Sequence, residues 1–152
     1  MFEAKLKELG IELPEAAKPL AAYVPAVQVG DYVYTSGQIP MVDGALKYAG
    51  KIGKEYTEAD GYEAAKICAI NCLSAIKGVI GSLDKIECIF KVTGFVNSAP
   101  GFNMQPKVIN GASEFLGEVF GDAGVHARSA VGVSDLPIDA AVEVEMIVKL
   151  KA

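Results

Sequence analysis

The chain has 152 residues, 51% of them hydrophobic, which is enough for one domain with a sizeable core. A formal charge of −5 and the absence of any Lys/Arg cluster argue against a nucleic-acid face that works by neutralising phosphates. Mean hydropathy of +0.31 is high for a soluble monomer, yet no run approaches the roughly 18 consecutive apolar residues of a membrane helix. The surplus apolar surface is therefore expected to be buried between subunits.

Residues 1–10 set Phe2, Leu6 and Leu9 at helical spacing among Lys5 and Lys7, which predicts an N-terminal helix and neither a signal nor a transit peptide. A cytoplasmic chain is expected. No repeat or linker divides the sequence, so residues 1–152 are read as a single domain with that helix as an addition. Residues 13–25 carry three prolines and read as an irregular lead-in. In residues 27–36, two apolar runs flank Gly30-Asp31, the Gly-X pair that a type II′ hairpin favours.

Residues 37–53 hold Pro40 and four glycines and read as a loop with one short strand around 45–49. Thr57-Glu58-Ala59-Asp60 resembles a capping box, and Tyr62, Ala65, Ala69, Cys72, Leu73, Ile76 and Ile80 follow at helical spacing to a stop at Gly81. Residues 86–96 are rich in β-branched and aromatic types and read as a central strand. Asn103, with Pro106 in the first turn, is expected to cap a third helix whose apolar face is Val108, Ala112, Phe115, Leu116 and Val119. Two strands over 125–133 and 141–150, joined by a turn at 135–137, close the chain as a hairpin.

The order β-β-(β)-α-β-α-β-β, with two helices on one face of a sheet, is an α+β layer architecture. In the last strand the even positions from Val142 to Leu150 are apolar, which leaves Glu143 on the other row. If the row containing Val131 and Val133 also faces the helices, Arg128 lies on the face opposite the helices, and the hairpin sets it beside Glu143. The plain interpretation is a solvated cross-strand ion pair worth less than about 1 kcal/mol. Small neighbours around Arg128 instead leave room for its guanidinium to grip a carboxylate through two parallel hydrogen bonds.

His126 shares Arg128's row and is an acid or base candidate, but a single histidine specifies no Ser/His/Asp or Cys/His nucleophile. Cys68, Cys72 and Cys88 form no CxxC pair and are expected to be buried, reduced thiols; no metal and no cofactor are expected. Gly37 and the other glycines make no nucleotide-binding spacing.

Two runs carry a family resemblance: Thr35-Ser36-Gly37-Gln38-Ile39-Pro40, and Ala127-Arg128-Ser129-Ala130-Val131-Gly132-Val133 continued by Leu136-Pro137 and Val142-Glu143-Val144-Glu145. They are similar to the two signature regions of the Rid/YjgF family of reactive intermediate deaminases, the L-PSP endoribonuclease-like proteins, over about residues 20–150. The resemblance implies a chorismate-mutase-like fold packed as a homotrimer, with a central barrel of sheets and a ligand cleft between subunits. It implies hydrolysis of 2-imino or enamine acids to 2-keto acids and ammonia without a cofactor. Arg128 matches the arginine that grips the substrate carboxylate and Glu143 the glutamate that positions or activates water; Tyr23, Ser36, Gly37, Ala130 and His126 would line the cleft.

Pro100 stands where the family's deaminases carry an asparagine, and Ala130 where many carry a cysteine. With the N-terminal helix and the spelling His126-Ala127-Arg128-Ser129, they mark a divergent branch. The alternative is a trimer that binds a small carboxylate metabolite, a 2-imino or 2-keto acid, as a sensor or carrier. Ribonuclease or translation inhibition is attributed to some relatives, but the acidic balance counts against it.

Overall fold

A computed structural model describes residues 1–16 and 22–152. None of its helices is long and apolar enough to cross a membrane, among the described residues. The lead-in expected over 13–25 falls partly on residues 17–21, outside the described part.

The N-terminal helix α1 (Phe2–Glu8) buries Leu6, stacks Phe2 on Phe120 with ring centroids 4.6 Å apart, and ties Glu3 to Lys77 at 2.8 Å. Strands β1 (Ala26–Val29) and β2 (Tyr32–Thr35) form the expected hairpin, in which Gly30 takes the φ of +60° that a side chain would resist. The glycine-rich loop holds two very short strands, β3 (Met41–Val42) and β4 (Ala45–Leu46), paired with each other where a single strand was expected.

Helix α2 (Glu58–Ile80) opens on a complete capping box: Thr57 Oγ1 accepts from the Asp60 amide at 3.2 Å, and Asp60 Oδ2 accepts from the Thr57 amide at 2.9 Å. Strand β5 (Ile86–Asn97) follows, then helix α3 (Gln105–Phe120). The expected Asn103 cap is not found. Met104 holds the N-cap position without a side-chain bond, and Gln105 Nε2 instead donates to Phe102 O (2.8 Å) and Ser98 Oγ (3.1 Å), fixing the loop before the helix. Strands β6 (Ala127–Val133) and β7 (Val142–Leu150) complete the chain.

The main sheet has the order β1-β2-β7-β5-β6, antiparallel except for the parallel pair β5/β6. The expected β6/β7 hairpin is therefore wrong, because β5 lies between the two strands. Residues 134–141 cross over the end of β5, and the fully buried Asn97 holds the crossing from beneath. Its Nδ2 donates to Ala140 O (3.0 Å) and Asp139 Oδ1 (3.2 Å), while its Oδ1 accepts from Lys51 Nζ (2.7 Å). Ile138 and Asp139 take φ values of 50° and 61° in that crossing, left-handed backbone that residues other than glycine rarely adopt.

Both long helices cover one face of the sheet. They approach so closely that a Cβ on Gly111 of α3 would lie 1.9 Å from Tyr62 O of α2, so only glycine fits. Val33, Val92, Val144, Met146 and Val148 fill the interface beneath them. Cys68 and Cys72 are buried there as expected, whereas Cys88 on β5 is only partly buried; the Cys68 and Cys72 thiols donate to Val142 O (3.5 Å) and Val144 O (3.2 Å), and burial pushes both pKa values up. The opposite face of the sheet is open and carries exposed Val27, Val29, Tyr34, Phe90 and Val131.

Candidate functional site

Strand β7 behaves as its alternation predicts. Val142, Val144 and Met146 are buried towards the helices, so Glu143 and Glu145 lie on the open face. Residues 36–38 run beside Glu143 as an extension of β2, with Gln38 and Val144 exchanging both backbone bonds, at 2.8 and 3.0 Å. Gly37 leaves the space that Glu143 occupies: a Cβ there would stand 2.7 Å from Glu143 Cδ. Ser36 Oγ donates to Val24 O at 2.6 Å, which fixes the turn that presents the exposed ring of Tyr23. Tyr23, Ser36, Gly37 and Glu143 thus fall in one region.

No cation lies within salt-bridge distance of Glu143 among the described residues. Partial burial raises its carboxyl above the usual glutamate range, and the Glu145 charge adds to the shift. A carboxyl held in that way can carry a proton closer to neutrality than an ordinary glutamate.

Arg128 lies elsewhere, and the expectation that it shares a face with Glu143 is corrected. In β6 the row Arg128, Ala130, Gly132 faces α3, while Val131 faces outward; in register Arg128 pairs with Val92 and Glu143 with Phe95 across β5. The reason is close approach: α3 comes near enough to this edge strand that a Cβ on Gly132 would sit 2.6 Å from Gln105 Nε2. Small residues are needed on that side, and the apolar row turns to the open face.

The guanidinium is clamped onto α3. Its NH1 group donates to Asn110 Oδ1 (2.8 Å) and Ser113 Oγ (3.1 Å), and NH2 reaches Pro106 O at 3.4 Å. Nε has no partner among the described residues, so the Nε/NH2 edge, the one that takes a carboxylate side-on, keeps donors for a ligand.

His126 joins the same group, with Nε2 2.9 Å from Ser113 Oγ and Nδ1 2.6 Å from Gly124 O. Ser113, Gly117, Gly124, Val125, His126 and Arg128 line an open cavity of about 300 Å³. Ala130 packs against the core behind Arg128 and contributes shape only. Pro100 occupies an exposed turn and offers no side-chain donor.

Sequence reasoning missed Asn110 and Ser113. Their signal was present: 110, 113 and 117 form a small or polar stripe at spacings of three and four beside the apolar face of α3. The chain therefore carries two separate regions, a carboxylate region on the open face and a guanidinium region on the helix face, which do not meet within one copy.

Comparison with known proteins places the chain in a family. The chain is 43% identical to protein TCP17 of Trypanosoma cruzi, over 97% of its own length and 92% of that protein. It is 34% identical to the 2-iminobutanoate/2-iminopropanoate deaminase of Dermatophagoides farinae, over 93% and 95% of the two chains. The crystal structure of protein Atu1372, of unknown function, from Agrobacterium tumefaciens superposes with a TM-score of 0.92 at 43% identity, covering 99% of this chain and 92% of that one. Residues 3–150 match the family described as "YjgF/chorismate_mutase-like, putative endoribonuclease", and with its mixed sheet covered by helices the chain belongs to that family, the Rid/YjgF proteins.

Proposed function

We propose that the protein hydrolyses reactive 2-imino or enamine acids to 2-keto acids and ammonia, in clefts where the Arg128 region of one copy meets the Glu143 region of another in a homotrimer. One observation carries the reading. The clamped guanidinium keeps donors at its Nε edge, and the partly buried Glu143 carboxyl has no cation beside it among the described residues, yet the sheet keeps them apart in a single chain. The exposed apolar residues of the open sheet face give subunits a reason to associate, since such surface is rarely left bare. A relative named for 2-imino acid deamination supports the substrate class.

In this mechanism Arg128 holds the substrate carboxylate in a fork, and the iminium carbon, already electrophilic, faces a water beside Glu143. Water adds through oxygen as Glu143 takes its proton, and the C=N electron pair moves to nitrogen. Transfer of that proton to the amine lets the C–N bond break with its electron pair on nitrogen; the hydroxyl of the intermediate gives its proton to Glu143 as it becomes the ketone, and the departing ammonia takes that proton and leaves as ammonium. Tyr23, Ser36 and Gly37 would shape the Glu143 wall, and His126 and Ala130 the Arg128 wall.

The test is to generate 2-aminoacrylate in the presence of the protein and measure pyruvate and ammonia release. A rate above buffer that falls in Arg128→Ala is expected; a rate equal to buffer removes the reading. The side chain lost at Pro100 favours one second reading, a trimer that binds a small carboxylate as a sensor or carrier. Calorimetric binding of a 2-keto acid without turnover of the imine would establish it instead.

A further inference from the structure

The Arg128 region holds a second constellation, built entirely within one chain. The carbonyl of Gly124 can only accept, so His126 Nδ1, 2.6 Å away, carries the ring proton. In the neutral ring Nε2 is then the lone pair. Ser113 Oγ, 2.9 Å from it, must donate its hydrogen to that nitrogen, while the serine oxygen accepts from Arg128 NH1 at 3.1 Å. The hydroxyl proton thus points at a base whose orientation is set by a third group, and the oxygen sits against a cation. Those are the features that make an alcohol a nucleophile, here with a backbone carbonyl where hydrolase triads place a carboxylate. Both side chains open onto the cavity lined by Gly117 and Val125, so an acyl group can reach them.

We propose that Ser113 is a nucleophile, with His126 as its general base, and that it accepts acyl groups from small activated esters and thioesters. Ser113 Oγ bonds to the acyl carbon as its proton passes to His126 Nε2, and the carbonyl electron pair moves to oxygen beside the Arg128 guanidinium. Collapse breaks the C–O or C–S bond, and the departing phenolate or thiolate takes the proton from His126. Water repeats the sequence on acyl-Ser113: its proton passes to Nε2, the carboxylic acid forms, and the serine oxygen regains a proton from the ring. A neutral carbonyl stabilises the imidazolium less than a carboxylate does, which restricts the reaction to good leaving groups. Because no second copy and no imine chemistry enter, this activity stands or falls independently of the deaminase reading.

The experiment is hydrolysis of p-nitrophenyl acetate by the full chain, followed by mass mapping of the acetyl group. The expected result is an acetyl on Ser113 and a rate that drops at least about tenfold in both Ser113→Ala and His126→Asn, since general acid–base assistance is commonly worth about 10²-fold or more. Equal rates in wild type and Ser113→Ala, or an acetyl found only on lysines, overturns the proposal. Should Ser113→Ala fail to fold, the near-isosteric Ser113→Cys decides in its place: an S-acetyl adduct at that position supports the assignment, and an unmodified thiol sinks it.

Discussion

The Glu143 and Arg128 regions sit on opposite faces of one sheet and are built by different means. Glu143 is placed by backbone: β7 alternates strictly, the 36–38 segment bonds to Val144, and Gly37 leaves room for the carboxylate. Arg128 is placed by side chains, because Asn110, Ser113 and, through Ser113, His126 hold it against α3. A backbone-built region tolerates side-chain change and fails when a methyl group intrudes. A side-chain-built region fails when one partner is removed.

The largest effect is expected from breaking each region in turn. Arg128→Ala should lower imine hydrolysis by at least about 10²-fold, and Arg128→Lys should recover little, since an ammonium cannot reproduce the fork. Protein refolded from equal amounts of Arg128→Ala and Glu143→Gln chains sharpens the comparison on the proposed trimer. A cleft made by two copies is intact when one supplies the arginine (half of chains) and the next supplies the glutamate (half), so about one quarter of wild-type activity returns under cyclic symmetry. No recovery in mixed trimers would place both residues in one chain's site and sink the inter-subunit reading.

Next in size is the link across the end of β5. Asn97→Ala removes two donors from Asp139 and Ala140 and the acceptor of Lys51 in a fully buried position, so a loss of about 2–3 kcal/mol is expected in urea unfolding. The crossing also explains what the sequence hid. Leu136-Pro137 reads as a turn whether it closes a hairpin or carries the chain over a neighbour, and nothing local separates the two. The distinguishing signal was distant: a 12-residue strand as apolar as β5 needs partners on both sides, and β6 and β7 are those partners.

Parity was legible in β7 and not in β6 for a related reason. An alternating strand reveals which row is buried only when the other row is polar. In β7 the second row carries Glu143, Glu145 and Lys149, so the assignment is forced. In β6 the outward row contains Val131 and Val133, and the inward row is small so that α3 can approach, so apolar character points the wrong way. Helix α2, the β1/β2 hairpin and the apolar face of α3 were all legible, because their caps, turn residues and spacings are local.

A smaller effect tests the backbone-built region. Gly37→Ala sets a Cβ 2.7 Å from Glu143 Cδ, and the flexible side chain must swing away. Activity should fall about 10–100-fold through misplacement of the carboxyl, with stability changed by less than about 1 kcal/mol. Gly132→Ala, the matching change in the other region, meets Gln105 Nε2 at 2.6 Å and Ser98 Oγ at 2.9 Å, so it should loosen the start of α3 and lower stability by about 1 kcal/mol. Thermal melts beside rates separate the two outcomes; similar profiles for both variants would erase the distinction between the regions.

The smallest effect concerns the Glu143 proton. Burial first, and then the Glu145 charge, raise its folded pKa above the unfolded value, so between those two values the folded state binds more protons than the unfolded chain. Stability then falls as pH rises through that window, and above it the full penalty persists. Glu143→Gln removes the penalty, so the variant should melt slightly higher than wild type at neutral pH, by no more than about 3 °C because the half-exposed group is screened by water. Only well below the ordinary glutamate value of about 4.3, at about pH 3, should the difference vanish. A variant that melts lower than wild type at neutral pH would mean that the carboxylate is stabilised by a cation in the assembled protein. The candidate would then be the Arg128 guanidinium of a neighbouring copy, and the two regions would be joined even without a ligand.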